Sequence, residues 1–142
     1  MKDIIVGIDG SDESRKAVTL AARMAQSLGA PLMVANVVCN PAASAPRPVV
    51  AAEYTWWFSA QRDWAETLVR ETAQRESRPG LSVETRVLEG DPAEALAQLA
   101  VDQRARMVVI GHRGRGFAKR LLIGSVADKL VQICDRPVLV SR

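Results

Sequence analysis

Cysteine and histidine are nearly missing from this chain of 142 residues, which holds two of the first, Cys39 and Cys134, and one of the second, His112. The cysteines are far apart, with no CxxC spacing and no histidine beside them, which excludes both a metal framework and a disulfide scaffold. They read as reduced, packed thiols of a cytoplasmic protein. His112 has no serine or cysteine nucleophile to pair with and no second acid to orient it, so no catalytic residue and no metal ligand are assigned. No apolar run reaches membrane-spanning length, and Met1-Lys2-Asp3 opens on a strand rather than on a secretory leader, so a membrane partner is not expected. A GxxxxGK[ST] loop and a GxGxxG after a strand are both absent, which removes the ordinary P-loop ATPase and the dinucleotide oxidoreductase. The net charge is only +3. No helix carries a basic stripe and the aromatic residues are not interleaved with basic ones, which makes nucleic acid the weaker reading of that charge.

What is present is a spacing of glycines. Gly111-His112-Arg113-Gly114 is followed by nine residues and then Gly124-Ser125, a G-x2-G-x9-G-S pattern. The apolar run Met107–Ile110 before it reads as a buried strand, and the segment from Val126 to Cys134 after it reads as a helix. Strand, glycine loop and helix is how α/β folds hold phosphates: glycine permits positive φ and close approach of main-chain N–H groups, and the helix start attracts the anion. Ser125 with Asp128 three residues on reads as a capping box. Arg113, Arg115, Lys119 and Arg120 concentrate positive charge in the loop, facing either an anion or solvent.

The rest of the chain alternates strand and helix. Ile4–Asp9 reads as a strand, and Ala17, Leu20, Ala21, Met24, Ala25 and Leu28 mark a helix that Gly29 ends. Leu32–Val38 is almost wholly apolar, as a strand covered on both faces should be. From Cys39 to Ala52 three prolines argue for a long connection. Trp57, Ala60, Trp64, Ala65, Leu68 and Thr72 then mark a second helix; Trp56 and Trp57 read as core, with a lid or partner surface around Trp56 and Tyr54 as the alternative. Val83, Thr85 and Val87 alternate with charge, as on a peripheral strand. Asp91-Pro92 opens a third helix, with Ala93, Leu96, Ala97 and Ala100 inward. Val138–Val140 is a fifth strand. Short connections between alternating elements give one domain over residues 1–142, a parallel sheet with helices on both faces.

Two helices compete for an anion. The first begins beside Asp9, Asp12 and Glu13, which repel phosphate; the last has no acid before Asp128. Electrostatics therefore place phosphates at Gly114, Gly124, Ser125 and Val126, and leave Asp9 to a sugar hydroxyl or an amine.

The stretch from Val108 to Arg142 resembles the nucleotide-binding branch of the universal stress proteins. Ile4-Val-Gly-Ile-Asp-Gly-Ser11, Gly90-Asp91-Pro92 and Arg136-Pro-Val-Leu-Val140 fit the same pattern, so the resemblance covers nearly the whole chain. It implies a Rossmann-like, adenine nucleotide α-hydrolase-like open sheet of five parallel strands in the order 3-2-1-4-5, with ligands at the switch point between strands one and four. It implies ATP as the ligand, with any magnesium held through the nucleotide's own phosphates. Adenine then lies near Ile8, Asp9 and Val37, ribose near Asp9 and Gly111, and phosphates on Gly114, Gly124, Ser125 and Val126, with Ile110 also among the nucleotide-binding residues. Arg113 reads equally as a phosphate contact or a solvated arginine. Two positions depart from the family: His112 stands where serine is common, and Ala127 where a hydroxyl often donates, a loss of about 1 kcal/mol. The resemblance also implies a homodimer through Pro137–Val140, in which pairing removes an open sheet edge. The expected role is regulatory binding in stress response without turnover, with slow hydrolysis at most a side activity. Two other readings compete, a nucleotide-independent chaperone-like dimer and a phosphoacceptor domain; Glu89 and Arg142 are poor substitutes for the aspartate and lysine the latter requires.

Overall fold

The computed structural model describes residues 2–39, 51–113 and 123–142. Nine elements alternate along them: β1 (Ile4–Gly7), α1 (Asp12–Leu28), β2 (Leu32–Val38), α2 (Ala51–Glu76), β3 (Val83–Glu89), α3 (Pro92–Asp102), β4 (Met107–Gly111), α4 (Ser125–Ile133) and β5 (Val138–Ser141). The strands form one sheet in the order β3-β2-β1-β4-β5, and every pairing is parallel. This is the expected fold class.

Alternation within β1 divides the core. Ile4 and Val6 point to a layer with Ala17, Val18, Ala21, Ala22 and Ala25 of α1 and Val69 of α2. Ile5 points the other way, to Leu96 and Leu99 of α3 and Leu130 of α4. Side chains of a strand alternate between faces, so an apolar run such as Leu32–Val38 must be covered twice. β3, at one edge, alternates half-buried and exposed positions as expected.

The helix faces differ from expectation at their ends. Leu28 is 44% exposed, whereas Ser14, Val18 and Ala22 are buried. Ala25 in the same last turn of α1 is fully buried, so that turn still covers the core and Leu28 projects off its buried face. Gly29 does end it: φ is +59°, and Ala30 N–H reaches Ala25 O at 2.9 Å in a Schellman arrangement. In α2 the core reading of the tryptophans fails for Trp56, which is 73% exposed, and Trp64, at 42%. Trp57 is half-buried, and Tyr54 stacks on Phe58 at 5.8 Å. The buried face of α2 is Ala65, Val69 and Thr72, in its second half. The helix starts at Ala51, inside the expected connection; residues 40–50 of that connection lie outside the described residues.

Asp91 caps α3, its Oδ1 accepting from Glu94 N–H at 3.0 Å. Lys129 of α4 reaches the same carboxylate at 3.2 Å and Glu94 at 3.1 Å, tying the two helices together. The Glu94 amide, followed by Lys129, holds the Asp91 carboxyl below its ordinary 3.8. A depressed carboxylate stabilises the fold at pH above its unfolded value, and the benefit is lost as pH falls through the folded value. Asp91→Ala should therefore cost about 1 kcal/mol in denaturant titrations at neutral pH. That cost should shrink as acid is added below the ordinary value of 3.8.

Candidate functional site

At the carboxyl ends of β1, β2 and β4 a cavity of about 260 Å³ opens beside the start of α4. Ile8, Asp9, Val37, Ile110, Gly111, Arg113, Gly124, Ser125 and Val126 all line it. Gly114 lies outside the described residues, as do Arg115, Lys119 and Arg120 of the basic loop. A larger groove of about 490 Å³ runs between α1 and α2. Long polar side chains of those helices line it, and no uncapped helix start faces into it.

The starts of α1 and α4 beside the cavity differ as electrostatics requires. At α1, Ser11 is the N-cap and its side chain accepts from Ser14 N–H. Asp9 Oδ1 accepts from Ser11 N–H at 2.9 Å and from Ser11 Oγ, while Gly10 makes the intervening turn at φ +85°. The start of α1 is thus already satisfied by its own side chains, and Asp12 and Glu13 add negative charge.

At α4 the expected capping box is absent. The N-cap is Gly124, one residue earlier than expected, and no side chain caps the helix. Asp128 is then a residue too far along for a box: its N–H reaches Gly124 O at 2.9 Å, and its carboxylate takes Gln132. Gly124 N–H is itself spent on His112 O, which corrects its expected role as an amide donor. A helix leaves its first N–H groups without intrahelical partners. The donors at the cavity are therefore those of Ser125, Val126 and Ala127, ahead of the one acid of the first turn, Asp128.

Glycine has different reasons here than conformational freedom. Gly124 has φ −74°, which any residue adopts, so its value lies in the missing side chain. At Gly111 an added Cβ would stand 3.0 Å from the Glu13 carbonyl carbon and oxygen. Close packing of α1 on the end of β4 requires that glycine, whatever the cavity holds.

Arg113 is half-buried on the cavity wall rather than fully solvated. Its Nε donates to His112 Nε2 at 3.0 Å and its Nη2 lies 3.9 Å from Glu13 Oε1.

Several wall residues escaped the sequence reading. Asn36 is 5% exposed, lines the cavity and donates from Nδ2 to Ile8 O at 2.7 Å. It holds the end of β1 against β2, and its signal was visible as the one polar residue in the run Leu32–Val38. Gly7, Ala35, Pro92 and Leu96 also contribute; a Cβ on Gly7 would meet Leu96 Cδ1 at 2.8 Å. Cys39 lines the cavity and is exposed, which corrects its reading as packed, whereas Cys134 is half-buried and packs against the core. No group of three or more His, Cys, Asp or Glu capable of holding a metal occurs among the described residues. No described helix is long and apolar enough to cross a membrane.

An open parallel α/β sheet with a cavity at the switch point and an uncapped helix start in its wall defines the class. Within it, the sequence model of the universal stress protein family matches residues 1–142, and the chain belongs to that family. A universal stress protein of Thermus aquaticus is 32% identical over 142 residues, covering 99% of this chain and 98% of the relative. The stress response protein NhaX of Bacillus subtilis is 30% identical, covering 96% and 95%. Among solved structures, the universal stress protein UspA of Lactobacillus plantarum superposes with a TM-score of 0.89 at 23% identity, covering 99% of this chain and 97% of that one. A universal stress protein in complex with cAMP superposes at 0.73 with 27% identity, covering 99% and 97%.

Proposed function

We propose that this chain binds an adenine mononucleotide, ATP foremost, and serves as a regulatory binding protein in stress response rather than as an enzyme. The observation that carries the reading is the start of α4, which no side chain caps and whose first acid is Asp128 at its fourth residue, in the wall of a cavity that Asp9 also lines. Phosphates sit on the amides of Ser125 and Val126, beside Gly124 and Gly114, and magnesium comes with the phosphates. Ribose lies by Asp9, Ile110 and Gly111, and adenine lies against Ile8 and Val37. The cAMP bound by one structural neighbour and the dAMP bound by a universal stress protein of Archaeoglobus fulgidus support this choice of ligand class. Turnover is not part of the reading, because both ring nitrogens of His112 are engaged by Arg113, Ser141 and Glu13. Free Cys39 and Cys134 suit a reducing cytoplasm. Heat-denaturing the purified protein should release an adenine nucleotide, and calorimetric titration of stripped protein should return ATP binding; heatless titrations with ATP, ADP and AMP would defeat the proposal.

The assembly we propose is a homodimer through Pro137–Val140. β5 is an edge strand whose Val138, Leu139 and Val140 are only half-buried, and Val131 and Ile133 on adjacent α4 are 51% and 41% exposed. Unpaired edges of this kind invite a second strand. Sedimentation at micromolar concentration should give a dimer that Leu139→Lys converts to monomer.

A further inference from the structure

His112 stands where β4 ends, between α1, β5 and the cavity. Its Nδ1 lies 3.2 Å from Ser141 O and 3.5 Å from Glu13 Oε2. Its Nε2 faces Arg113 Nε at 3.0 Å. A guanidinium only donates, so Nε2 must accept and Nδ1 carries the hydrogen toward its two oxygen neighbours. The ring is therefore neutral, and Arg113, a residue of the cavity wall, is tethered to it.

A proton on Nε2 removes that tether. It takes away the lone pair Arg113 donates into and sets two cations in contact. The imidazolium has a counter-charge waiting, because Glu13 Oε2 is buried without a hydrogen-bond partner among the described residues. The groups facing the ring are thus Glu13 of α1, with Lys16 on the same carboxylate at 3.7 Å, Arg113 from its own strand end and the Ser141 carbonyl of β5. The guanidinium has then lost its hydrogen bond to the ring and keeps the 3.9 Å contact with Glu13 Oε1, on a carboxylate now shared with the imidazolium. An anion on the neighbouring amides of Ser125 and Val126 is then the nearest source of compensation in the same cavity.

We propose that His112 is a positioning residue for Arg113: neutral, it parks the guanidinium; protonated, it releases Arg113 onto the phosphates, so that nucleotide binding tightens as pH falls. The affinity part rests on the nucleotide reading of the site, but the tether does not.

A single histidine gives a single imidazole, so its ring nitrogens are read by NMR without assignment to a residue. In the nucleotide-free protein at about pH 8, where the imidazole is neutral, Arg113→Met should move the His112 Nε2 resonance, because the donor at 3.0 Å is gone. An unmoved Nε2 resonance overturns the tether. Calorimetric titration with ATP at about pH 5.5 and about pH 8, on either side of ordinary imidazole titration, tests the release. The acid-to-base affinity ratio of the wild type should exceed that of His112→Asn by about tenfold or more, the worth of one charge-assisted hydrogen bond. Dividing one ratio by the other cancels protonation of ATP itself. Equal ratios overturn the release. If the wild type binds no ATP at either pH, the nucleotide reading fails and the affinity part with it, while the Nε2 resonance still decides the tether.

Discussion

Gly124→Val should weaken ATP binding by about a hundredfold or more, the loss of roughly two charge-assisted hydrogen bonds, with little change in melting temperature. The backbone at Gly124, φ −74° and ψ 159°, is extended and suits valine, so the substitution stores no strain in the main chain. Its isopropyl group would occupy the cavity wall beside the Ser125 and Val126 amides, where a phosphate has to approach to about 2.8 Å. Gly111→Val should fail in the opposite assay. Its Cβ would press on the Glu13 backbone at 3.0 Å, forcing α1 away from β4 and lowering stability by about 1–3 kcal/mol. Calorimetry and thermal melts on the pair separate the two roles within one glycine motif. Unchanged ATP affinity in Gly124→Val would remove the phosphate from the start of α4.

The strands were legible because a parallel sheet writes itself as apolar runs, and Leu32–Val38 and Met107–Ile110 are such runs; their order came from the resemblance to the universal stress proteins. Cavity residues at strand ends followed from the switch point once the order was in hand. What sequence left out depends on distance between elements. Gly7 reads as an ordinary strand residue until Leu96 of α3 is placed 2.8 Å from its missing Cβ. The helix start was misplaced by one residue, because Gly124 and Ser125 are both acceptable caps and only the backbone decides which is used. That shift has consequences: a serine cap would have consumed one of the amides offered to a ligand, whereas a glycine cap leaves them open. Trp56 misled for a simpler reason. Its helical spacing was sound, but α2 at 26 residues extends past the sheet, and spacing carries no information about where the sheet stops.

Leu130→Ala should be the most damaging single substitution for α4, costing about 3 kcal/mol and lowering the melting temperature by about 10 °C in a domain of this size. α4 has 9 residues, and its buried side chains are Ala127 and Leu130. Leu130 is fully buried among the residues of the α3–α4 face, with Val108 and Leu96 in the same cluster, so its removal takes away most of the apolar surface that fixes the helix to the sheet. Nothing at its start compensates, since the cap makes no side-chain hydrogen bond. A short helix held by one leucine should loosen locally before the sheet does, and hydrogen exchange should show α4 amides losing protection first while those of β1 and β2 stay slow. ATP affinity should fall with it, because the bound amides keep their direction only while the helix is seated, and saturating ATP should restore part of the lost melting temperature. Uniform loss of protection across α4 and β1, with ATP affinity unchanged, would mean that the helix start is held by something other than Leu130 and that ligand binding does not depend on its seating.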